Sequence, residues 1–242
     1  MRAVRDTDDA FAFWHKGGHS CDTEPPTCER VHRLTGAREP ARRMRRRRRR
    51  IIGIVADDLG ALGDVARSWT VSINFFQNDL REDNLPKLAA SDAVTRARRF
   101  GLKLNCEVLE AGIMLRTDKQ AALSHLRALG FTVSIDDFGV GFSNLAEVLR
   151  MAPDCLKIDK QFIRDLLINE EDTRIANTII DLGKSLNLTV VAEGVETAEQ
   201  EYYLSQRGCA LAQGYFFSKP LLPRDFENFV QTFHARIVEN NA

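Results

Sequence analysis

Residues 131–143 read FTVSIDDFGVGFS, and the organisation of the whole chain follows from how this stretch is parsed. Phe131–Asp136 is a short run rich in β-branched and apolar residues, the composition of a strand. It leads into two adjacent carboxylates, Asp136 and Asp137, and then into Gly139 and Gly141, which let a backbone turn tightly beside a ligand. An ordinary strand-to-helix loop explains the glycines. It does not explain paired aspartates at the end of an otherwise buried strand, because an unpaired charge is costly to bury. A metal role does explain them.

Five further runs of the same kind surround it: Thr70–Asn74 (TVSIN), Lys103–Val108 (KLNCEV), Asp154–Asp159 (DCLKID), Leu188–Glu193 (LTVVAE) and Cys209–Tyr215 (CALAQGY). Amphipathic stretches lie between them. In the clearest, Asp172–Leu186, residues Ile175, Thr178, Ile179, Leu182 and Leu186 share one helical face. Strands alternating with helices predict βα units and a parallel sheet, an α/β fold. Six units already fill residues 70–242, and an eight-unit barrel needs about 250 residues. The expected fold is therefore a modified (β/α)8 TIM-like barrel whose first one or two βα units are missing or irregular. Ile51–Trp69 reads as a helix ahead of the first clear strand, although Gly53, Gly60 and Gly63 weaken it. The expected division is an irregular basic segment over 1–50 and a barrel domain over 51–242.

The polar residues of these runs fall at one end. Asn74, the Asp136–Asp137 pair, Asp159, Glu193 and Gln213 stand at or near the ends of five of them; Glu107 lies close to the end of another, Glu110 follows it, and Lys157 lies inside the fourth. In a parallel barrel all strand C-termini open on one face, which carries the active site. A single acidic residue at such a place is readily a cap or a salt-bridge partner. The set forms a cluster of hard oxygen donors with one amide and one lysine, which suits Mg2+ or Mn2+ better than zinc.

Composition narrows the remaining classes. The net charge is zero, but residues 1–50 hold 14 Lys/Arg against 7 Asp/Glu, with an unbroken run from Arg45 to Arg50. Such a block repels itself and reads as a solvated tail, so no specific nucleic-acid binding is expected from it. No stretch of about 18 apolar residues is present to span a bilayer, and the first residues lack the apolar core of a secretory signal. The expected setting is cytoplasmic. The five cysteines, at 21, 28, 106, 155 and 209, are read as reduced thiols, and His15, His19, Cys21 and Cys28 fit no common zinc spacing.

At its polar strand ends the chain closely resembles the EAL phosphodiesterase family. The motifs are Glu107–Glu110 (EVLE, similar to the family's Glu-Ile/Leu-Thr-Glu), Asp136–Ser143 (DDFGVGFS), Leu156–Asp159 (LKID), Glu193–Glu196 (EGVE), Gln213–Tyr215 (QGY) and Ser218–Leu221 (SKPL). The resemblance implies a modified eight-stranded barrel that binds cyclic di-GMP across its strand ends and opens it to linear pGpG with two Mg2+ or Mn2+ ions. It implies that Asn74, Glu107 and Asp136 are metal ligands, with Asp137 on the second ion. Lys157 would hold the attacking water, Glu193 would bind or deprotonate it, and Gln213 would orient it. Glu110 and Glu196 would brace the surrounding loops, and Gly139, Gly141 and Ser143 would meet the substrate. A homodimer is compatible with the resemblance.

The sequence departs from the family in its first part. The Glu-Ala-Leu that gives the family its name, and the arginine that follows it, are not present; at the corresponding distance before Asn74 the chain reads AFAFWHKG over 10–17. After Asn74 stand Phe75 and Phe76, where the family has Leu-Ser. An altered reading of the gene over 1–69 and a truly degenerate domain both account for this. Either one predicts weak or no turnover, with a non-catalytic cyclic di-GMP receptor or protein-interaction module as the alternative function.

Overall fold

A computed structural model describes residues 70–75, 91–110, 118–141 and 145–219, together with positions 53, 56, 57, 60, 80, 88, 225, 228 and 229. The basic segment 1–50 and Ser143 lie outside the described residues. The elements follow one another as β1 (Thr70–Phe75), α1 (Asp92–Arg99), β2 (Lys103–Leu109), α2 (Asp118–Ala128), β3 (Phe131–Phe138) and α3 (Leu145–Met151). Then come β4 (Cys155–Ile158), α4 (Lys160–Arg164), α5 (Glu170–Leu186), β5 (Thr189–Glu193), α6 (Ala198–Gln206) and β6 (Leu211–Gln213). Gly53, Ala56, Asp57 and Gly60, the described positions of the earlier segment, are helical as expected.

The six strands form one sheet in chain order, β1-β2-β3-β4-β5-β6, each parallel to the next. Helices connect neighbouring strands throughout, so the sheet curls into an arc of a TIM-like barrel of the α/β class, as the alternation of runs predicts.

Side chains alternate between the two faces of a strand, and here the alternation sorts by chemistry. The register sets Ser72, Asn105 and Thr132 abreast, then Asn74, Glu107 and Ser134. It continues with Cys155 beside Ser134, Lys157 beside Val191 and Glu193 beside Gln213. This face is mostly polar. The other face carries Val71, Ile73, Leu104, Cys106, Val133, Ile135, Leu156, Ile158, Val190 and Ala192, all buried in one apolar core with the helices. Each fully buried Leu or Ile there stabilises the fold by about 1.5–3 kcal/mol relative to exposure.

Helix α5 shows where apolar periodicity misleads. It begins one turn's fraction earlier than the 172–186 expectation because Asn169 caps it, its side chain accepting from the N–H groups of Glu171 and Asp172. Its buried stripe is Ala176, Ile179, Ile180 and Gly183, whereas Thr178 is exposed. The stripe is rotated towards the small residues. A Cβ on Gly183 would lie 2.1 Å from Val190 Cγ2, so the helix rests on β5 at a point where no side chain fits. A reading that ranks residues by hydrophobicity alone passes over that contact.

Candidate metal centre

Glu107, Asp136, Lys157, Glu193 and Gln213 come from five different strands and meet at their C-terminal ends. The Lys157 ammonium is the hub. Its Nζ lies 2.7 Å from Glu107 Oε1, 3.0 Å from Asp136 Oδ1 and 2.6 Å from Glu193 Oε1, with the lysine side chain only 3% exposed. Gln213 Nε2 donates to the same Glu193 Oε1 at 2.8 Å. Burial pushes the ammonium towards losing its proton, but Glu107, Glu193 and Asp136 together outweigh burial and hold its pKa well above the ordinary 10.5.

That direction fixes a pH dependence. A lysine whose folded pKa exceeds its unfolded value stabilises the fold fully below about pH 10.4, the unfolded value, and the stabilisation is lost as pH rises through the folded value. The part of the urea-midpoint fall that depends on Lys157, read as the difference between the protein and Lys157→Met, is therefore expected to set in only beyond about pH 10.4. The buried Cys155 and Cys209 thiols bring a separate fall from about pH 8.5 upward. A Lys157-dependent fall that begins between pH 8 and 9 would contradict a buried, fully paired ammonium.

Asp137 joins the cluster through a local irregularity. Strict alternation would send Asp136 and Asp137 to opposite faces, yet one carboxylate oxygen from each of Asp136, Asp137 and Glu193 lies within 4.8 Å of the other two. The pairing of β3 with β4 shifts register between Ile135 and Phe138, and Asp137 adopts a left-handed φ of 54°. An irregularity of this kind re-aims a side chain at the expense of ladder regularity, a feature that concentrates at functional sites.

The donor set fits a divalent cation. Among the described residues, one ammonium faces Glu107, Asp136 and Glu193 together with the adjacent Asp137, so acidic groups outnumber basic ones there where water is scarce. Among the described residues, Gln213 Oε1 is the buried side-chain oxygen that has no hydrogen-bond partner, and it stands ready to accept from a bound water. Carboxylate and amide oxygens are the ligands hard cations choose. Asn74 faces this site from β1, abreast of Glu107 and half-buried.

Glu110 sits beneath the loop that follows β3. Buried to 3% exposure, its Oε2 accepts from Gly139 N at 2.9 Å and Gly141 N at 3.1 Å. Gly139 has a φ of 99°, and a Cβ there would come within 3.0 Å of Phe162, so glycine is required on both counts. The two N–H groups bond to the protein itself, which leaves the glycines their shape and not these donors for a ligand. Glu110→Ala would leave both donors without their charged acceptor, and each such bond is worth about 1.5–3 kcal/mol. The expected loss of stability by urea denaturation is about 3 kcal/mol or more, two such bonds taken at the low end; an unchanged midpoint would show that the loop holds its shape by other means.

The β5 and β6 ends are stitched together. Val195 N donates to Gln213 O at 3.0 Å, and Phe216 N donates to Val195 O at 3.0 Å. A Cβ on Gly214 would lie 2.0 Å from Val195 O, so the two loops touch through bare backbone.

Some residues read as polar strand ends serve elsewhere. Asp159 is the N-cap of α4, its Oδ1 accepting from Gln161 N at 2.7 Å. The Glu196 side chain is exposed; the bracing in its loop comes from Gln200, which accepts from the N–H groups of Glu196 and Thr197 and donates to Ile163 O at 2.8 Å. Thr197 and Gln200 form a capping box at the start of α6. Cys155 and Cys209 are thiols pushed up to about 12 by burial, inert near neutral pH. A layer that sequence reasoning missed lies one step below the centre, where Asn105 bonds to Ser72 and Ser134. Its only signal in the sequence is a polar residue two positions before each of several ligands.

Comparison with known proteins bears on the family. The EAL domain profile matches residues 41–220. Cyclic di-GMP phosphodiesterase NbdA of Pseudomonas aeruginosa is 41% identical over 155 residues, which cover 62% of this chain and 20% of that protein. The chain spans about a fifth to a quarter of the length of the first curated relatives it matches. The PaMucR phosphodiesterase in its c-di-GMP complex superposes with a TM-score of 0.65 at 28% identity, covering 83% of this chain and 78% of that one. The BlrP1 manganese/cy-diGMP complex of Klebsiella pneumoniae superposes with a TM-score of 0.66 at 28% identity, covering 80% of this chain and 48% of that one. With three quarters of its length matched by the profile and its polar strand ends converging on one mouth, this chain belongs to the EAL domain family.

Proposed function

We propose that the chain is a cyclic di-GMP phosphodiesterase domain that opens the cyclic dinucleotide to linear pGpG, with slow turnover. The observation that supports it most is the convergence of Lys157, Glu193, Gln213 and the Asp136–Asp137 pair at one barrel mouth. A module that only bound the dinucleotide would have no use for a buried lysine clasped by carboxylates beside an amide. Asn74, Glu107, Asp136 and Asp137 would hold two divalent ions, Mg2+ or Mn2+. When bound, such ions make hydroxide available near neutral pH and offset charge building on phosphate oxygens.

The chain's own groups supply the rest. Lys157 brings a fixed positive charge to the scissile phosphate, and it donates a hydrogen bond to the attacking water by releasing one of the three carboxylates that hold its N–H groups. Glu193 takes a proton from that water. Gln213 holds Glu193 in place through Nε2, and its unpartnered Oε1 accepts the water's second hydrogen. Gly139 and Gly141 shape the wall along which the dinucleotide lies. The setting is cytoplasmic, and no helix among the described residues is long and apolar enough to cross a membrane. A homodimer of this domain is compatible with the proposal.

A second reading is favoured by one observation: the Glu-Ala-Leu motif and its arginine are not in the sequence, so one metal ligand and one phosphate contact of the family have no counterpart. That reading is a cyclic di-GMP receptor without turnover. Calorimetry with cyclic di-GMP, with and without Mn2+, followed by chromatography of the products, separates the two. The expected result is metal-strengthened binding and slow release of pGpG. Binding with no pGpG selects the receptor; the absence of binding sinks both.

A further inference from the structure

Beneath the centre lies a second polar layer that the proposed reaction does not use. Ser72, Asn105, Ser134 and Cys155 each precede by two residues a member of the centre, namely Asn74, Glu107, Asp136 and Lys157. Asn105 joins the layer. Its Nδ2 donates to Ser72 Oγ at 2.9 Å, and its Oδ1 accepts from Thr132 Oγ1 at 3.0 Å and from Ser134 Oγ at 3.0 Å. Asn105, Ser72 and Ser134 are only 6%, 8% and 2% exposed. One side chain therefore ties β1, β2 and β3 together across the polar face of the sheet.

Apolar side chains would fill this space without the cost of burying hydroxyls and an amide. What hydrogen bonds add is direction. Donor–acceptor separations are confined to a few tenths of an ångström and to a narrow range of angles, whereas apolar contacts slide. Residues two apart on a strand share a face and are separated by about 6.6 Å of extended backbone. A lateral spacing fixed at Ser72, Asn105 and Ser134 is thus passed almost rigidly to Asn74, Glu107 and Asp136. Those are the residues whose relative placement matters most, because a functional constellation loses its use when displaced by about 0.5 Å.

We propose that Asn105 is a positioning residue that clamps β1, β2 and β3 and thereby sets the separation of Asn74, Glu107 and Asp136. Its consequence for metal binding rests on the reading of the centre given under the proposed function. Nothing in the motifs that mark the family includes position 105, and the residue touches neither the centre nor the barrel mouth.

The test compares Asn105→Leu, close in volume, with Val133→Ala, a buried substitution on the opposite, apolar face, both in the full chain. Two quantities are read for each: the Mn2+ dissociation constant by calorimetry, and the 15N signal and solvent exchange of the Lys157 ammonium, which reports the placement of Glu107 and Asp136. Asn105→Leu is expected to raise the Mn2+ Kd at least tenfold and to speed ammonium exchange. Val133→Ala, even with a comparable loss of Tm, is expected to leave both within twofold of the wild type. If Asn105→Leu matches the wild type in both, or if Val133→Ala shifts both as much, the clamp is overturned. Should the wild type itself bind no Mn2+, the metal reading of the centre fails, and the Lys157 signal alone then decides for or against the clamp. If Asn105→Leu does not fold, Ser134→Ala removes one bond of the layer and is read in the same way, with a smaller shift in the same direction.

Discussion

Lys157→Met is expected to lower the stability of the protein by about 3–5 kcal/mol at neutral pH, the usual consequence of removing one partner from a buried ionic cluster. Three carboxylates, all within 3.0 Å of the ammonium, would be left facing one another without it. They have two ways out: protonation, or capture of an external cation. The variant is therefore expected to recover part of the loss as pH is lowered from 8 to 5, and to recover part of it at pH 8 when Mn2+ is added. Urea denaturation at both pH values, with and without the metal, reads each effect. Turnover is expected to fall by about 10²–10³, the range seen when one preorganised donor to a reacting oxygen is removed. A variant as stable as the wild type at pH 8 without metal would show that the cluster is solvated and not a sealed ion pair.

The second large effect is expected at Asp137. Its left-handed backbone is a conformation that Asn tolerates as well as Asp, so Asp137→Asn should fold normally, with a Tm within a few degrees of the wild type. The substitution removes one negative charge and one anionic donor from the group formed with Asp136 and Glu193. Calorimetric Mn2+ stoichiometry is expected to drop from two to one, and pGpG production to cease. Retention of two ions per chain, or hydrolysis at the wild-type rate, would remove Asp137 from the metal-binding set. Asp137→Val adds a second handle: a β-branched residue at a left-handed φ costs about 1–2 kcal/mol of backbone strain on its own.

Much of the architecture is legible in the sequence because two periodicities are strong. The β-branched runs mark all six strands to within a few residues, and the polar residues that close them mark the mouth of the barrel. Asp136 and Glu193 are found this way since a charge at the end of an apolar strand has few other uses. Asp159 looks the same in the sequence and is a helix cap, because a capping aspartate and a ligand aspartate occupy the same kind of position between strand and helix. Whether Asp136 and Asp137 face the same site depends on a shift of pairing between β3 and β4, which is a property of two strands and is written in neither alone. Asn105 is hidden for a related reason: within KLNCEV it is one polar residue among several, and its partners lie 33, 27 and 29 residues away. Gln200, which takes the bracing part expected of Glu196, is hidden by the same separation, since it anchors to Ile163 O 37 residues distant.

The contact of Gly214 with Val195 has a practical consequence for anyone recombining members of this family. Where two loops meet through bare backbone, neither can be exchanged alone: a foreign segment on one side brings a slightly different path, and no side chain is present to absorb the misfit. Glu193 and Gln213 stand at the bases of those loops and are bonded to each other. A chimera that crosses over between residues 194 and 214 would split a proton acceptor from the amide that orients it. A crossover ahead of β5, or beyond residue 217, keeps that pair together. The span 193–216 is best inherited whole, as a cassette whose two ends arrive already fitted.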